Sequence, residues 1–462
     1  MPANLKITKI IFLLLLYLVI GIFFLNTAPI FAQSIIPPKL SLESAVEKAL
    51  ENNPQTKITE KGIKIAELKI DEAKLSKKPF VQFSSTVTGG NNPVFVFGSR
   101  LEQGRFGASN FAIDSLNHPQ PIVNFRSVVS VHKSLFDQKQ TVSRITQAQI
   151  GKSQAELQAE FVRQQLRFNI LRSYYGTVLA KELLKVSDGA INSAKENSKK
   201  AKDLVEVGMV TDADYLAAEV EVANAHQQKL EAESNLFTTN AALNILLDEK
   251  PELEREFTDD LTEKYFPIED RDELIRIALE NRPEYQKADL EIQTNREQKK
   301  SILNKQKLPE VNAFGNFGYS SPYLANGSTD FTVGVSLTYT LFDAGKKNRL
   351  EQATEGESLA QLEKEDLANQ IRLDVIRAEQ NFKTSRAKIL VSVKSITQAE
   401  EALRIIYDRY KFGLMTFNEL VRAENALVRA KSNLLMARYE YYIAYASVLL
   451  ATGRLKDVRV FK

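Results

Sequence analysis

Apolar and polar residues alternate along the chain with two periods, and the two periods predict two kinds of element. In FTVGVSLTYTLF (331–342) every second residue is apolar, which predicts a strand with one apolar and one polar face. Two much longer stretches space apolar residues by three, four and seven, which predicts long helices with a coiled-coil seam. The first seam contains Leu157, Phe161, Phe168, Leu171, Tyr175 and Val178. The second contains Leu367, Ile371, Ala378, Phe382, Ile389, Val393 and Ile396.

Four strands of about ten residues are predicted, at about 80–90, 123–136, 311–320 and 329–342. Their polar faces carry Ser, Thr, Asn and Gly rather than the Lys and Glu typical of strands in water. About ten tilted residues are enough to cross an outer membrane. The alternative is two soluble hairpins whose apolar faces pack on the helices in an ordinary core.

The chain repeats itself. ALENNP (49–54) recurs as ALENRP (278–283), an offset of 229 residues, and SLFD (134–137) recurs as TLFD (340–343), an offset of 206. The offset falls because the first copy carries an insertion, at about 91–121, between its two strands. A single insertion in an otherwise steady register favours duplication.

The repeat predicts the domain plan. The segments are a signal peptide at 1–32, a first structural repeat at 33–249, a connector at 250–270 and a second repeat at 271–462. Each repeat holds a helix pair, two strands, a very long helix and a return helix. The long helices are expected at about 139–205 and 346–412, and the return helices at 211–249 and 416–452.

Each long helix stops at a glycine, and the two stops match at an offset of 205 residues. Gly208 corresponds to Gly413, and Thr211 corresponds to Thr416. Glycine accepts the left-handed backbone that ends a helix, and threonine caps the next one. Six residues after each glycine stands a carboxylate, Asp214 in the first copy and Glu419 in the second.

The first 32 residues predict export from the cytoplasm. Lys6 and Lys9 precede an apolar run at 10–25, and Ala32 ends a plausible cleavage site. An uncleaved anchor helix is the alternative. Removing this segment takes two lysines and no acid, so the formal charge falls from +3 to +1. A nearly neutral chain argues against a nucleic-acid partner.

Enzymatic chemistry finds no support in the residues. The chain has no cysteine, which excludes disulfides and thiolate sites, and its three histidines (His118, His132 and His226) lack metal-ligand spacing. We therefore expect no catalytic residue, metal or cofactor.

Four strands cannot close a barrel with a lumen, and lipid does not tolerate open strand edges. Several chains must contribute, and three would give twelve strands. The insertion is expected on the outer side of the membrane. Its phenylalanines either pack the loop against itself or over the mouth of the barrel, or they form a surface that a receptor partner recognises. These residues are Phe95, Phe97, Phe106 and Phe111.

These features together resemble the TolC family of outer-membrane efflux proteins. The resemblance rests on the order of the signal, the duplicated ALEN motif, the paired strands, SLFD and TLFD, and the turns VGMVTDADYL and FGLMTFNELV. It covers nearly the whole exported chain. In LNILLDEKPEL (243–253), Asp248 stands where the family commonly has glycine.

The resemblance implies a mainly α fold with a membrane β-barrel part. Duplicated helical hairpins would form an α-helical tunnel, and four strands per chain would contribute to a trimeric twelve-stranded barrel. The protein would lie in the outer membrane of a Gram-negative-type bacterium with a large periplasmic part. Its partners would be two sister copies, outer-membrane lipid, a periplasmic adaptor and an inner-membrane pump of the RND, ABC or MFS type.

The resemblance also implies a gate at the periplasmic tip. Asp214 and Glu419 match family carboxylates near the constriction, and Tyr410 matches a tyrosine that holds the entrance closed through hydrogen bonds between helices. Two positions depart from the pattern: Met415 replaces an arginine of that lock, and Arg422 replaces a second acid. Arg422 could instead pair with Glu419, three residues away.

The tip turns, at Gly208, Thr211, Gly413 and Thr416, would dock the adaptor. We expect a passive exit duct for efflux or type I secretion. The sequence leaves its cargo open. Two alternatives remain: a trimeric coiled-coil scaffold of the envelope that does not conduct, and a conventional porin, which the predominance of helix disfavours.

Overall fold

The computed structural model describes residues 39–262 and 264–461. The predicted signal peptide lies outside the described residues. The chain divides into two compact units. The described residues of the smaller unit are Lys39, Leu40 and Glu254–Thr258. They contain one parallel pair of two-residue strands, β1 (Lys39–Leu40) and β4 (Glu256–Phe257).

The larger unit contains every other described element. Its strands are β2 (Phe80–Gly90), β3 (Ile122–Asp137), β5 (Glu310–Ser321) and β6 (Ser328–Thr338). Its helices are α1 (Leu42–Asn52), α2 (Pro54–Leu75), α3 (Pro93–Glu102), α4 (Ile113–Asn117), α5 (Gln140–Glu206), α6 (Asp212–Leu246), α7 (Arg271–Asn281), α8 (Pro283–Lys307), α9 (Lys346–Lys411) and α10 (Phe417–Ala451).

The two long helices, α5 and α9, contain 67 and 66 residues. At 1.5 Å per residue each is about 100 Å long. The short helices before the strands and the return helices pack along them. α2 and α6 lie against α5 on one side, α8 and α10 lie between α5 and α9, and α9 forms the other flank. The helices therefore make an open layer with two unlike flanks.

The predicted seams are buried where the helices are packed on both sides. The buried seam residues are Leu171, Tyr175, Val178, Ile371, Ala378, Phe382 and Ile389. Farther along α9, Val393 is still 42 % exposed. An aromatic cluster fixes the middle of the layer, where Phe266 stacks on Tyr445 with ring centroids 4.3 Å apart.

The four long strands form one antiparallel sheet in the order β2-β3-β5-β6, so β2 and β6 are its edges. Strand β6 ends at Thr338, short of the expected residue 342. The last rung of the ladder pairs Thr338 with Glu310, and Pro309 before it cannot extend the ladder because proline has no N–H. Among the described residues, no strand pairs with residues 339–342.

The register separates the two faces of the sheet. One face presents large apolar side chains to the surroundings: Phe331 is 79 % exposed and Val333 is 78 % exposed. Two hydroxyls on this face, Ser85 and Ser127, bond each other at 2.9 Å. The opposite face is lined by polar groups, among them Thr86, Asn124, Arg126, Ser130, Asn316, Ser320 and Asp330. The apolar face is compatible with contact with lipid, because its large side chains are apolar and the hydroxyls among them bond each other.

The insertion folds into the short helices α3 and α4 and packs on itself. Phe106 makes edge-to-face contacts with Phe97 and Phe111, at centroid distances of 4.8 and 5.1 Å. Within the described part of the chain, no helix has both the length and the apolar character that crossing a bilayer requires.

Candidate functional site

The candidate site is the tip where both long helices end and the chain reverses. After α5, Gly208 has a φ of +74°, and after α9, Gly413 has a φ of +66°. The N–H of Met209 donates to the carbonyl of Leu204 at 2.9 Å, and the N–H of Leu414 donates to the carbonyl of Arg409 at 3.0 Å. These six-to-one bonds define the same glycine-dependent helix ending at both stops. The predicted left-handed helix ending is observed at both glycines, whereas their role in adaptor docking stays a prediction.

The two return helices also begin in the same way. The hydroxyl of Thr211 accepts from the Asp214 N–H at 3.3 Å, and the hydroxyl of Thr416 accepts from the Glu419 N–H at 3.3 Å. Each carboxylate forms the reciprocal bond: Asp214 accepts from the Thr211 N–H at 3.1 Å, and Glu419 accepts from the Thr416 N–H at 2.8 Å. These are reciprocal capping boxes, and both threonines cap as expected.

The capping boxes give the two carboxylates a local role. The N–H and then the hydroxyl of Thr416 lower the pKa of Glu419, so it stays ionised at neutral pH. Both side chains are half-buried in the single chain. Their placement at a constriction needs sister copies and stays a prediction.

Tyr410 lies at the centre of an apolar cluster that joins the two hairpins at the tip. It is 3 % exposed and packs with Ala201, Ala218, Phe417 and Leu420. Burial raises the pKa of the Tyr410 hydroxyl, and the charge of Asp214 raises it further.

The expected hydrogen bonds of Tyr410 are not formed. Its hydroxyl has no hydrogen-bond partner among the described residues, and the Asp214 carboxylate accepts from the Thr211 hydroxyl at 2.9 Å. Met415, in place of the family arginine, packs against the same cluster. Within one chain the contacts of Tyr410 are apolar, and the polar lock that the resemblance implies, which could involve sister copies, stays a prediction.

Arg422 does not form the ion pair considered for it. In the part of the chain that the structure describes, no ion pair joins Arg422 to Glu419, although its charge contributes to lowering the Glu419 pKa. The Arg422 side chain is exposed on the first turns of α10, where water solvates it.

A second set of contacts, farther from the tip, was not predicted as functional. The amide of Asn197 on α5 donates to Glu424 on α10 at 2.6 Å, and Ser198 donates to Glu219 on α6. Asn425 donates to Glu221 at 3.1 Å and so joins α10 to α6. The matched pairs Ala218-Glu219 and Ala423-Glu424, again 205 residues apart, are the signal that could have indicated these carboxylates.

Several groups around the carboxyl of Glu424 affect its pKa. Burial raises the pKa of Glu424, and the negative charges of Glu221 and Glu196 raise it further, while Asn197 and Lys200 act against them. Beside it, Lys200 bonds the hydroxyl of Tyr407 on α9, and Lys411 lies 4.3 Å from the same ring. These contacts hold α5 against both α9 and α10 near the tip.

A groove of about 450 Å³ runs between the two hairpins beside these contacts. Its lining combines apolar residues such as Val186, Leu427 and Leu434 with Glu221 and Glu424. It is an open groove between helices, and among the described residues no group of three or more acids or histidines is placed to hold a metal ion.

Comparison with known proteins agrees with this geometry. The family model described as "Outer membrane efflux protein" matches residues 45–248 and 274–454, which is one match to each predicted repeat. The chain is 22 % identical over 315 residues to the cobalt-zinc-cadmium resistance protein CzcC of Cupriavidus metallidurans, a match that covers 68 % of this chain and 73 % of CzcC.

A second relative, the outer membrane efflux protein BepC of Brucella suis biovar 1, is 20 % identical over 426 residues, 90 % of this chain and 86 % of BepC. Among solved structures, the CmeC outer membrane channel of Campylobacter jejuni superposes with a TM-score of 0.73 at 18 % identity. That match covers 89 % of this chain and 85 % of CmeC, and at this identity it establishes the fold.

Proposed function

The chain belongs to the outer membrane efflux protein family, and we propose that three copies form the exit duct of a tripartite efflux or type I secretion system. The family resemblance inferred from the sequence is confirmed, as are the mainly helical fold with four long strands and the location in the outer membrane. The family consists of channel proteins rather than enzymes. We propose a passive duct without a catalytic step.

The observation that carries the proposal is the sheet with two unlike faces and two open edges. An unpaired backbone N–H or carbonyl in lipid costs several kcal/mol, so β2 and β6 cannot both stay open in a membrane. Pairing β6 of one copy with β2 of the next satisfies both edges. Three copies then supply twelve strands with the apolar face toward lipid and the polar face toward a lumen.

The helices support the same assembly. On one flank, α2 exposes an apolar stripe at Ile58, Ile65, Leu68 and Leu75, which are between 53 and 68 % exposed. On the other flank, α9 exposes Leu359, Leu362, Leu373 and Leu390. The flank with α2 continues into β2 and the flank with α9 follows β6. The α9 flank of one copy would pack against the α2 flank of the next, and three such contacts would close into a ring.

We assign the gate to the periplasmic tip. Three copies would bring Asp214 and Glu419 together in a narrow ring that favours cations. The Tyr410 cluster, with Asn197 and Glu424 behind it, would hold the tip closed until an adaptor separates the hairpins. The turns at Gly208, Thr211, Gly413 and Thr416 and the groove between the hairpins are the surfaces we propose for adaptor docking.

The adaptor and an inner-membrane pump would supply energy and choose the cargo. The name of CzcC links that relative to resistance to cobalt, zinc and cadmium. In this chain the described residues offer no metal cluster, and the cargo is determined upstream in our proposal.

Conductance of the purified full-length protein in planar bilayers tests the proposal. We expect a small cation-selective leak that rises when the tip cluster is opened by Tyr410→Ala. Glu419→Gln keeps a side chain that can complete the capping box and removes the charge, so it should lower cation selectivity without opening the tip. A non-conducting scaffold would give no current with any variant, and that result would refute the duct.

A further inference from the structure

The insertion between β2 and β3 lies on the polar face of the sheet. Arg126, which is on that face, contacts Glu102 at the end of α3 at 3.0 Å and Asp330 on β6 at 3.3 Å. The amide of Gln103 donates at 3.0 Å to Asn124, and the amide of Asn124 donates at 3.2 Å to Glu102. These contacts join the end of α3 to β3 and β6 and hold the helix against the sheet.

Helix α3 has two opposite sides. One side is buried: its residues follow helical spacing and are 2–4 % exposed. They are Val96, Ser99 and, directly after the helix, Gln103. Val94, Phe97 and Leu101 recur at the same spacing about half a turn away, and Val94 is 81 % exposed. Since the buried side contacts the sheet, the apolar stripe at 94, 97 and 101 points away from it.

In the duct proposed above, the polar face of the sheet lines the lumen, and this inference rests on that function. The stripe then points toward the axis of the barrel. Twelve strands spaced about 4.8 Å apart and tilted by about 40° enclose a cylinder of roughly 12 Å radius. A helix with its side chains is about 10 Å thick. Three such helices on the inner wall meet at the axis.

We propose that the three copies of α3 constrict the outward mouth of the duct through Val94, Phe97 and Leu101, forming a second gate that limits the current without abolishing it. The exposed stripe of each copy packs against the same stripe of the two sister copies. A ring of apolar side chains hinders the passage of water and ions by partial dewetting, so a current stays measurable when the periplasmic tip is opened. Phe106 packs edge-to-face on Phe97, which is 37 % exposed, and fixes the position of that ring within the stripe. The ion pairs of Arg126 fix the position of α3 and thus of the gate.

The absence of cysteine makes the test direct, because a single introduced thiol has no competitor. Val94→Cys and Leu101→Cys are each made in the full-length protein, purified as the intact particle and oxidised with copper phenanthroline. Leu324→Cys is the control, since Leu324 is 87 % exposed in the β5–β6 turn at the same end of the sheet and is not part of α3.

We expect both stripe variants to form disulfide-linked dimers that take up most of the chains, and the control to stay monomeric on a denaturing gel. The stripe thiols should also react with a bulky maleimide at least tenfold more slowly than the control. A trimeric, conducting particle whose stripe thiols neither cross-link nor resist labelling would overturn the outer gate and leave the duct intact. A particle of a single chain would overturn both.

Discussion

Replacing Gly413 by alanine should loosen the periplasmic tip, and the structure determines by how much. Gly413 has a φ of +66°, and a Cβ added there would meet no atom within 4 Å. The substitution therefore costs only the left-handed backbone penalty of an L-residue, about 1–2 kcal/mol. The opening equilibrium of the turn should rise by roughly 5- to 30-fold.

The assay is hydrogen exchange of peptides that cover residues 404–420. Gly151→Ala is the matched control, because Gly151 lies inside α5 and its Cβ would also meet nothing within 4 Å. In a helix the same change stabilises by about 0.5–1 kcal/mol. Gly413→Asn should give an intermediate effect, since asparagine tolerates the left-handed region better than alanine. Equal exchange in the alanine variant and the native protein would refute the assignment of the turn.

Three further predictions address the cap, the polar contacts and the flanks. Thr416→Ala should cost about 1 kcal/mol and speed exchange at the start of α10, whereas Thr416→Ser should not. The raised pKa of Glu424 means that the closed tip loses stability as pH rises from the ordinary value of 4.5 through the raised one, so leak current should grow with pH. Glu424→Gln should flatten that dependence, and an unchanged slope would exclude Glu424. Leu68→Asp should remove about 1 kcal/mol of favourable apolar burial at each of the three interfaces between copies. The particle should then shift toward single chains in analytical ultracentrifugation, and a trimer that stays intact would contradict the role of the α2 flank.

Local patterns predicted most of the fold. The observed α5 and α9 begin and end within about a residue of the expected bounds, because heptad spacing and a glycine stop are both local signals. The capping boxes were readable too, since Thr211 and Asp214 stand three residues apart, as do Thr416 and Glu419. Strand β6 ended early because its length depends on a neighbour, which its own alternation does not show.

The duplication is also visible in the backbone at the ends of the two return helices. Asp248 adopts a φ of +59° at the end of α6, and Gly453, again 205 residues later, adopts +69° at the end of α10. The aspartate thus occupies a glycine conformation, as the resemblance suggested. The contact between Asn197 and Glu424 could not be predicted in this way, because its partners are 227 residues apart and lie in different repeats.

The contacts of Tyr410 also could not be predicted without the three-dimensional context. Tyr410 matched the family position in sequence. Only the structure shows that Thr211 donates to the Asp214 carboxylate, and that the buried Tyr410 hydroxyl has no partner among the residues that the structure describes. Sequence identifies which residues are present at the tip. The packing of the two hairpins decides which of these residues contact one another.

Native mass spectrometry of the detergent-solubilised protein tests the central claim most directly, because the open sheet edges and unlike flanks have no other partner in our account. We expect one species with three times the mass of the processed chain, stable until the detergent is made denaturing. A stable, folded particle containing one chain would contradict the shared barrel and the duct built on it.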